Sequence, residues 1–315
     1  MVLAPRFPRV RLWVYECDLA ARMRALREND VYLPGFRLPD HVEVTSQLAP
    51  ALEEAEVVLS VMPSHLVRGL YGEMLPYLDR RMVFVSATKG LENGTLSRAS
   101  EVIREVVSAV FEPRIAVISG PTFAREVARL EPTALVVASS DPKVAECIQA
   151  AFSGPTFRLY TSSDTIGVEI GGSIKNVVAI GAGVLHGMGL GHNPMAALIT
   201  RGLAEMTRLA VAMGGQPLTL AGLAGLGDLV LTCNGELSRN RTVGVEMAHG
   251  RKLAEIVSSM KMVAEGIKTT NAAVDLAKRY SVEMPISQQM FQMLNFGVSP
   301  REAIQRLMER SLKGE

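Results

Sequence analysis

The chain has 315 residues, of which 48% are hydrophobic and 21% are charged, a composition typical of a soluble globular protein with room for two domains. Lysine and arginine total 33 and aspartate and glutamate total 32, which argues against nucleic acid or an anionic membrane as the main partner. Three scattered cysteines fit a reducing cytoplasm, with the thiols as small buried side chains, and the longest apolar run is too short to insert across a bilayer.

Short runs of β-branched residues alternate with stretches of helical spacing up to about residue 162. Strands are predicted at 9–15, 56–62, 81–87, 114–120, 134–139 and 157–161, and helices at 19–28, 96–110 and 141–152. Strands that are apolar throughout and are joined by helices indicate a parallel sheet covered on both faces. The pattern therefore predicts an α/β domain over residues 1–165.

Helical periodicity dominates the rest of the chain. The segments 195–215, 271–280 and 301–312 repeat Ala, Met and Leu at helical spacing, which predicts an all-α domain over residues 166–315. The segment 175–187 also resembles a strand that runs into a glycine turn, but no second strand with an acidic end follows it. A helix whose glycines allow close packing is the preferred interpretation.

The first predicted strand, at 9–15, is followed at once by the acidic residues Glu16 and Asp18. In a doubly wound (Rossmann-type) dinucleotide-binding domain this is typical of the second strand, which follows the first strand and its G-x-G-x-x-G turn by about 20 residues. Only a proline-interrupted opening precedes it here. We therefore expect a Rossmann-type domain that lacks the first strand and the glycine turn, so that the two neighbours of that strand flank a gap. A start site placed too far downstream and a genuine truncation both account for this.

Two polar stretches follow predicted strands. Lys89 lies directly after the strand at 81–87, where a parallel sheet presents its ligand crevice, and a solvated loop lysine is the alternative. The segment 119–126 follows another strand, and its Thr122 either faces a substrate or caps a helix.

Two more polar stretches lie in the predicted helical domain. Lys175 and Asn176 interrupt an apolar stretch, where burial would make the lysine a proton donor near neutral pH unless its side chain reaches water. Asp228 is a lone carboxylate in apolar sequence, and the cluster at 238–241 (SRNR) suits a phosphate or forms a solvated basic loop. Together the four stretches suggest a small phosphorylated substrate.

With these motifs in view, the chain resembles the NAD(P)-dependent glycerol-3-phosphate dehydrogenases, chiefly the bacterial type, from about residue 9 to the C-terminus. The resemblance rests on ATKGLE, VISGPTFARE, IGGSIKNVVAIGAG, ALITRGLAEM, AGLGDLVLTC, SRNR and VAEGIKTT, which occur in the order of the family's pattern. The family implies reduction of dihydroxyacetone phosphate to sn-glycerol 3-phosphate with NAD or NADP as cofactor, for phospholipid synthesis, and commonly a homodimer.

The resemblance also implies a role for each matching residue. Lys175 corresponds to the catalytic lysine, which protonates the substrate oxygen. The implied substrate-binding residues are Lys89, Gly120, Thr122, Lys175, Asp228, Ser238, Arg239 and Asn240. The implied cofactor-binding residues are Lys89, Ala124, Arg239, Val263 and Glu265.

Two other interpretations stay open at this point. A related dehydrogenase could act on another phosphorylated or carboxylated ketone, although the SRNR cluster favours phosphate. A non-catalytic remnant would bind the sugar phosphate or a partner without binding the dinucleotide normally. The intact candidate catalytic residues argue against this remnant, whereas the missing glycine turn argues for it.

Overall fold

The computed structural model describes residues 1–260, 264–312 and 314. The first part of the chain alternates strands and helices around a sheet. The strands are β1 (Val10–Trp13), β2 (Glu28–Asn29), β3 (Leu33–Arg37), β4 (Val42–Thr45), β5 (Val57–Ser60), β6 (Val83–Ser86), β7 (Arg114–Ser119), β8 (Thr133–Ala138) and β9 (Phe157–Ser162). The helices are α1 (Cys17–Leu26), α2 (Leu48–Leu52), α3 (Val67–Met74), α4 (Ala99–Val107), α5 (Ala124–Ala128) and α6 (Pro142–Phe152).

The six predicted strands are all present, as β1 and β5 to β9. The sequence analysis did not predict β2, β3 or β4. Strand β2 has only two residues, β3 reads LPGFR with Pro and Gly inside it, and β4 is the four-residue run VEVT with a charged residue in its middle. The sheet is not fully parallel, since β8 runs antiparallel to β7. The physical reason is the connection at 120–132, which contains only the short helix α5 and cannot carry the chain back across the sheet.

The sheet is divided into two pieces. One piece is the parallel pair β1 and β4, and the other has the order β5-β6-β7-β8-β9. Strand β1 pairs with β4 on one side and β5 pairs with β6 on one side, and among the described residues no strand pairs with the other side of either. In the doubly wound order these strands are the two neighbours of the first strand, so the division lies where the sequence analysis expected a gap.

The second part of the chain is helical. Its helices are α7 (Thr165–Gly187), α8 (His192–Ala212), α9 (Pro217–Ala221), α10 (Asp228–Asn234), α11 (Arg239–Ala248), α12 (Leu253–Ser259), α13 (Glu265–Arg279), α14 (Pro285–Phe296) and α15 (Pro300–Met308), with a π-helical turn at Leu223–Gly227. The fold is thus a Rossmann-type sheet domain followed by a helical domain, as predicted.

Helix α7 is the centre of the helical domain. It is long and apolar enough to cross a membrane, but its apolar window is entirely buried by the surrounding protein. A Cβ on Gly183 would overlap the carbonyl oxygen of Arg241, and one on Gly244 would overlap that of Ile180. Helices α7 and α11 therefore pack backbone against backbone. The interpretation of 175–187 as part of a close-packed helix is confirmed, and the strand-and-turn alternative is wrong.

A buried ion pair attaches α7 to the sheet domain. Arg98 Nη1 donates to Glu169 Oε2 at 2.6 Å, and the backbone N–H of Ser100 donates to Glu169 Oε1 at 2.9 Å. Arg98 and Ser100 belong to the start of α4, whereas Glu169 lies on α7. This contact holds α7, and hence Lys175, in register with the sheet.

The cysteines differ in part from the expectation of buried thiols. Cys233 is buried in the helical core, and burial raises the pKa of its thiol to about 12. Cys17 and Cys147 are exposed, because they lie on the outward faces of α1 and α6.

Candidate active site

A single buried carboxylate joins the two candidate lysines. Lys89 Nζ donates to Asp228 Oδ2 at 2.7 Å, and Lys175 Nζ donates to Asp228 Oδ1. The Asp228 side chain is 1% exposed, and those of Lys175 and Lys89 are 6% and 23% exposed. Two residues of the helical domain and one of the sheet domain thus form one charged cluster between the domains. The alternatives of a solvated Lys89 and a snorkelling Lys175 are both wrong.

Lys89 is placed by the carboxyl ends of two strands. It follows β6, and its Nζ also donates to the carbonyl oxygen of Gly120 at 3.0 Å and to Thr122 Oγ1 at 3.3 Å, just beyond β7. Gly120 has a φ of 156°, and a Cβ there would lie 2.7 Å from the Cβ of Leu135. The glycine lets this turn pass close to β8 and aim its carbonyl at the lysine.

Lys175 is a buried ammonium with two acceptors. Besides Asp228, it donates to Thr232 Oγ1 at 2.9 Å. Burial, and next the positive charge of Lys89, lower the pKa of Lys175 to about 7. A lysine with this pKa can both hold and release a proton near neutral pH, which is the property of an effective general acid.

The start of α11 carries the predicted phosphate cluster. Ser238 is the N-cap residue, and its Oγ accepts from the backbone N–H of Arg241 at 3.3 Å. Part of Arg239 is exposed to solvent, but burial of its guanidinium lowers its pKa, and the negative charge of nearby Glu265 opposes that shift. The side chain of Asn240 is buried and is hydrogen-bonded to Asn176 and Gly266. The cluster thus divides into a partly exposed arginine and a buried amide.

A second contact between the domains involves Glu265, one of the residues that the family resemblance implies for cofactor binding. Ser64 Oγ donates to Glu265 Oε2 at 3.2 Å, and Ser64 follows β5 while Glu265 begins α13. Burial raises the pKa of Glu265. Ala124 is exposed at the first position of α5, two residues beyond Thr122. Val263 lies outside the described residues, so its predicted cofactor contact stays a prediction.

Buried hydroxyls at the strand ends fit a polar ligand. Thr88 Oγ1 after β6 and Ser119 Oγ at the end of β7 are buried and have no hydrogen-bond partner among the described residues. Unpaired buried polar atoms are rare and often mark a site that a ligand completes. Their position at the carboxyl edge of the sheet suits a nicotinamide dinucleotide with its substrate.

Sequence reasoning missed two contributors to the site. Thr232 lies four residues after Asp228 on α10, and this helical spacing was a usable signal. Ser64 follows a predicted strand in VMPS, also at the carboxyl edge, but a lone serine after a strand carries too little chemistry to single it out.

Comparison with known proteins agrees with this geometry. The family model described as "NAD-dependent glycerol-3-phosphate dehydrogenase N-terminus" matches residues 1–145, and the model of the same family's C-terminus matches residues 164–305. These matches cover both domains that meet at Asp228. The chain belongs to the NAD-dependent glycerol-3-phosphate dehydrogenase family.

Curated relatives and a solved structure are similar over nearly the whole chain. A glycerol-3-phosphate dehydrogenase [NAD(P)+] of Koribacter versatilis is 59% identical over 302 residues, which are 96% of this chain and 90% of the relative. A second, of a Geobacter species, is 52% identical over all of this chain and 94% of the relative. The crystal structure of the Coxiella burnetii enzyme has a TM-score of 0.93 at 39% identity, over 98% of this chain and 94% of that one.

Proposed function

We propose that this chain reduces dihydroxyacetone phosphate to sn-glycerol 3-phosphate with NADH or NADPH, for glycerophospholipid synthesis. The observation that carries the proposal is the pair of lysines on Asp228, one of them buried with a pKa of about 7, in a member of this family. Curated relatives at 52–59% identity are glycerol-3-phosphate dehydrogenases [NAD(P)+]. The lysine pair on Asp228 is intact, which argues against a non-catalytic remnant.

The residues divide the chemistry among them. Lys89, Ala124, Arg239, Val263 and Glu265 are the residues proposed to hold NADH or NADPH, which would supply the hydride for the ketone carbon. Lys175 donates its proton to the ketone oxygen, so that one hydride and one proton convert the carbonyl into an alcohol.

The remaining polar residues bind and orient the substrate. Lys89 polarises the carbonyl as an electrostatic donor, while Asp228 holds both ammoniums at fixed positions. Gly120 and Thr122 keep Lys89 in place, and the proposed phosphate site is formed by Ser238, Arg239 and Asn240 at the start of α11.

The experiment is a substrate panel. Purified protein is assayed by loss of NADH or NADPH absorbance with dihydroxyacetone phosphate, unphosphorylated dihydroxyacetone, and 2-keto acids of similar size. We expect dihydroxyacetone phosphate to give the highest kcat/KM. A keto acid that is reduced faster would replace the proposal with the related-dehydrogenase interpretation, and nucleotide binding without any reduction would favour a remnant.

Arg239→Ala is expected to weaken binding of dihydroxyacetone phosphate by about 10- to 100-fold, because one charge-assisted bond to the phosphate is lost. Unphosphorylated dihydroxyacetone should be nearly indifferent to the change. The measurement is KM for both substrates, with Arg306→Ala as a control, since Arg306 pairs with Glu302 on the exposed surface of α15. Equal losses for both substrates would mean that Arg239 does not bind the phosphate.

NADH is expected to be preferred over NADPH by about 10- to 100-fold in kcat/KM, because a carboxylate repels a 2′-phosphate. Glu16 follows β1, and the hydroxyl of Tyr32 donates to its Oε1 at 2.8 Å. Glu16 also lies on the same side of the sheet domain as the proposed cofactor residue Ala124. Its partner Tyr32 precedes β3, and β3 packs against α5, the helix that begins with Ala124. Glu16→Gln should reduce the preference, whereas Glu73→Gln on the exposed surface of α3 should not. An equal kcat/KM for the two nucleotides would remove Glu16 from this role.

We also propose that the protein is a cytoplasmic homodimer. The burial of α7 inside the protein accounts for its apolar length and supports a location away from the membrane. Sedimentation equilibrium of the purified chain tests the dimer, and fractionation of cells tests the location.

A further inference from the structure

Asn240 uses both ends of its side-chain amide inside the protein. Its Nδ2 donates to Asn176 Oδ1 at 2.9 Å, and its Oδ1 accepts from the backbone N–H of Gly266 at 2.9 Å. These three residues belong to α11, α7 and α13. The side chain therefore joins three helices, and one of its partners is the residue next to Lys175.

The same point is a close backbone contact. A Cβ on Gly266 would lie 2.6 Å from the carbonyl oxygen of Asn176 and 2.8 Å from Asn240 Oδ1. The start of α13 is thus pressed against α7 directly beside Lys175. A shift of α13 must change the hydrogen bond to Asn240, because no space separates the two helices there.

The contacts continue from Gly266 into the sheet domain. Glu265 precedes Gly266 and accepts the hydrogen bond from Ser64. A Cβ on Gly90 would lie 2.7 Å from Ser64 Oγ and 3.0 Å from Glu265 Oε2, and Gly90 follows Lys89. A continuous set of contacts therefore runs from the neighbour of one lysine to the neighbour of the other.

We propose that Asn240 is a positioning residue that couples the contact between Glu265 and Ser64 to the orientation of Asn176 beside Lys175. Closure of the two domains on the cofactor side and alignment of the lysine pair are then set together. The effect of this coupling on catalysis rests on the proposed function, whereas the coupling itself does not. A substrate contact through the backbone N–H of Asn240 is compatible with it, since only the side chain is used here.

The physical basis is the cost of an unpaired buried polar group. Without the Asn240 amide, the Gly266 N–H and Asn176 Oδ1 are left inside the protein without their partners, and each is driven to move toward another partner or toward water. Movement of Gly266 shifts Glu265 away from Ser64, and movement of Asn176 disturbs the helix turn that holds Lys175.

The test is a double-mutant cycle between Asn240→Ala and Ser64→Ala, two side chains that share no direct hydrogen bond. We expect Asn240→Ala to raise the dissociation constant for NADH and to lower kcat, each by about 10-fold. In the Ser64→Ala background, Asn240→Ala should change the NADH dissociation constant and kcat much less than it does in the parent. If the two sites were independent, their effects on the free energies of binding and activation would add. Gly266→Ala, which keeps every polar group but forces the helices apart, should reproduce the phenotype of Asn240→Ala.

Amide hydrogen exchange of the protein without ligands gives a readout that does not need activity. Asn240→Ala should speed exchange in residues 264–270 and also in residues 62–66 of the other domain. Asn295→Ala is the matched control, because its Nδ2 donates to Asn271 Oδ1 at 3.0 Å on the exposed surface. It should change neither segment.

The outcomes separate this inference from the proposed function. Additive effects in the cycle, or exchange changes confined to residues 264–270, would overturn the coupling and leave Asn240 as a local contact. A parent protein that reduces no dihydroxyacetone phosphate would overturn the proposed function, and the exchange at residues 62–66 would still decide the coupling.

Discussion

Lys175→Ala is expected to lower kcat for dihydroxyacetone phosphate reduction by about 10²- to 10⁴-fold, the range for loss of a positioned general acid. KM should change less, because Lys89 and the residues at the start of α11 are retained. The measurement is steady-state kinetics at saturating NADH. Lys278→Ala, which removes an exposed lysine paired with Asp275 on α13, is the control and should leave kcat unchanged.

The pH dependence follows from the same lysine. Reduction needs the protonated form of Lys175, so kcat of the parent should be highest at low pH and fall as pH rises through about 7. The residual activity of Lys175→Ala should lose this decline. Turnover within threefold of the parent, with the same pH profile, would show that another group donates the proton.

Asp228→Asn is expected to lower both the activity and the stability of the protein, with an effect on activity second only to that of Lys175→Ala. It leaves two neighbouring ammoniums, those of Lys89 and Lys175, without the carboxylate that both contact. Breaking a buried ion pair in this way costs about 3–5 kcal/mol, which appears both as lower stability and as poorer alignment of the site. We therefore expect a loss of 100-fold or more in kcat/KM and a lower midpoint of urea unfolding.

A pH profile distinguishes this charge effect from a simple loss of shape. Without the carboxylate, the pKa of Lys175 should fall below that of the parent, because the repulsion by Lys89 is no longer opposed. The decline in kcat should accordingly move to lower pH. Asp275→Asn on the exposed surface of α13 is the control. An unchanged profile with full stability would mean that Asp228 is not the counter-ion of the active pair.

The central strands and the helix around Lys175 were predicted correctly because the residues that determine them are close together in the sequence. Runs such as RMVFVSA and RIAVISG are rich in apolar and β-branched residues, and they form the central strands β6 and β7. The glycine-rich run around Lys175 was also correctly assigned to a helix, because the helical sequence that follows it excludes a Rossmann turn. By contrast, β2 has only two residues and Pro and Gly interrupt β3, so neither gives a strand pattern, while the alternating apolar and polar residues of β4 (VEVT) were a usable signal that was missed. The antiparallel direction of β8 depends on the length of a connection.

The sequence by itself determined the family, the change from an α/β domain to a helical domain, and the residue types of the site, since ATKGLE, IKNVV, AGLGDLV and SRNR are local and specific. Only the tertiary structure decided how these residues are partnered. Lys89 and Lys175 are 86 positions apart, yet both contact Asp228, because the carboxyl edge of the sheet meets α7 and α10 at that carboxylate. The pKa of Lys175, the inward-turned amide of Asn240 and the missed partners Thr232 and Ser64 depend on the same long-range packing. Burial and charge contacts between distant segments arise only when the chain is folded, so no local pattern encodes them.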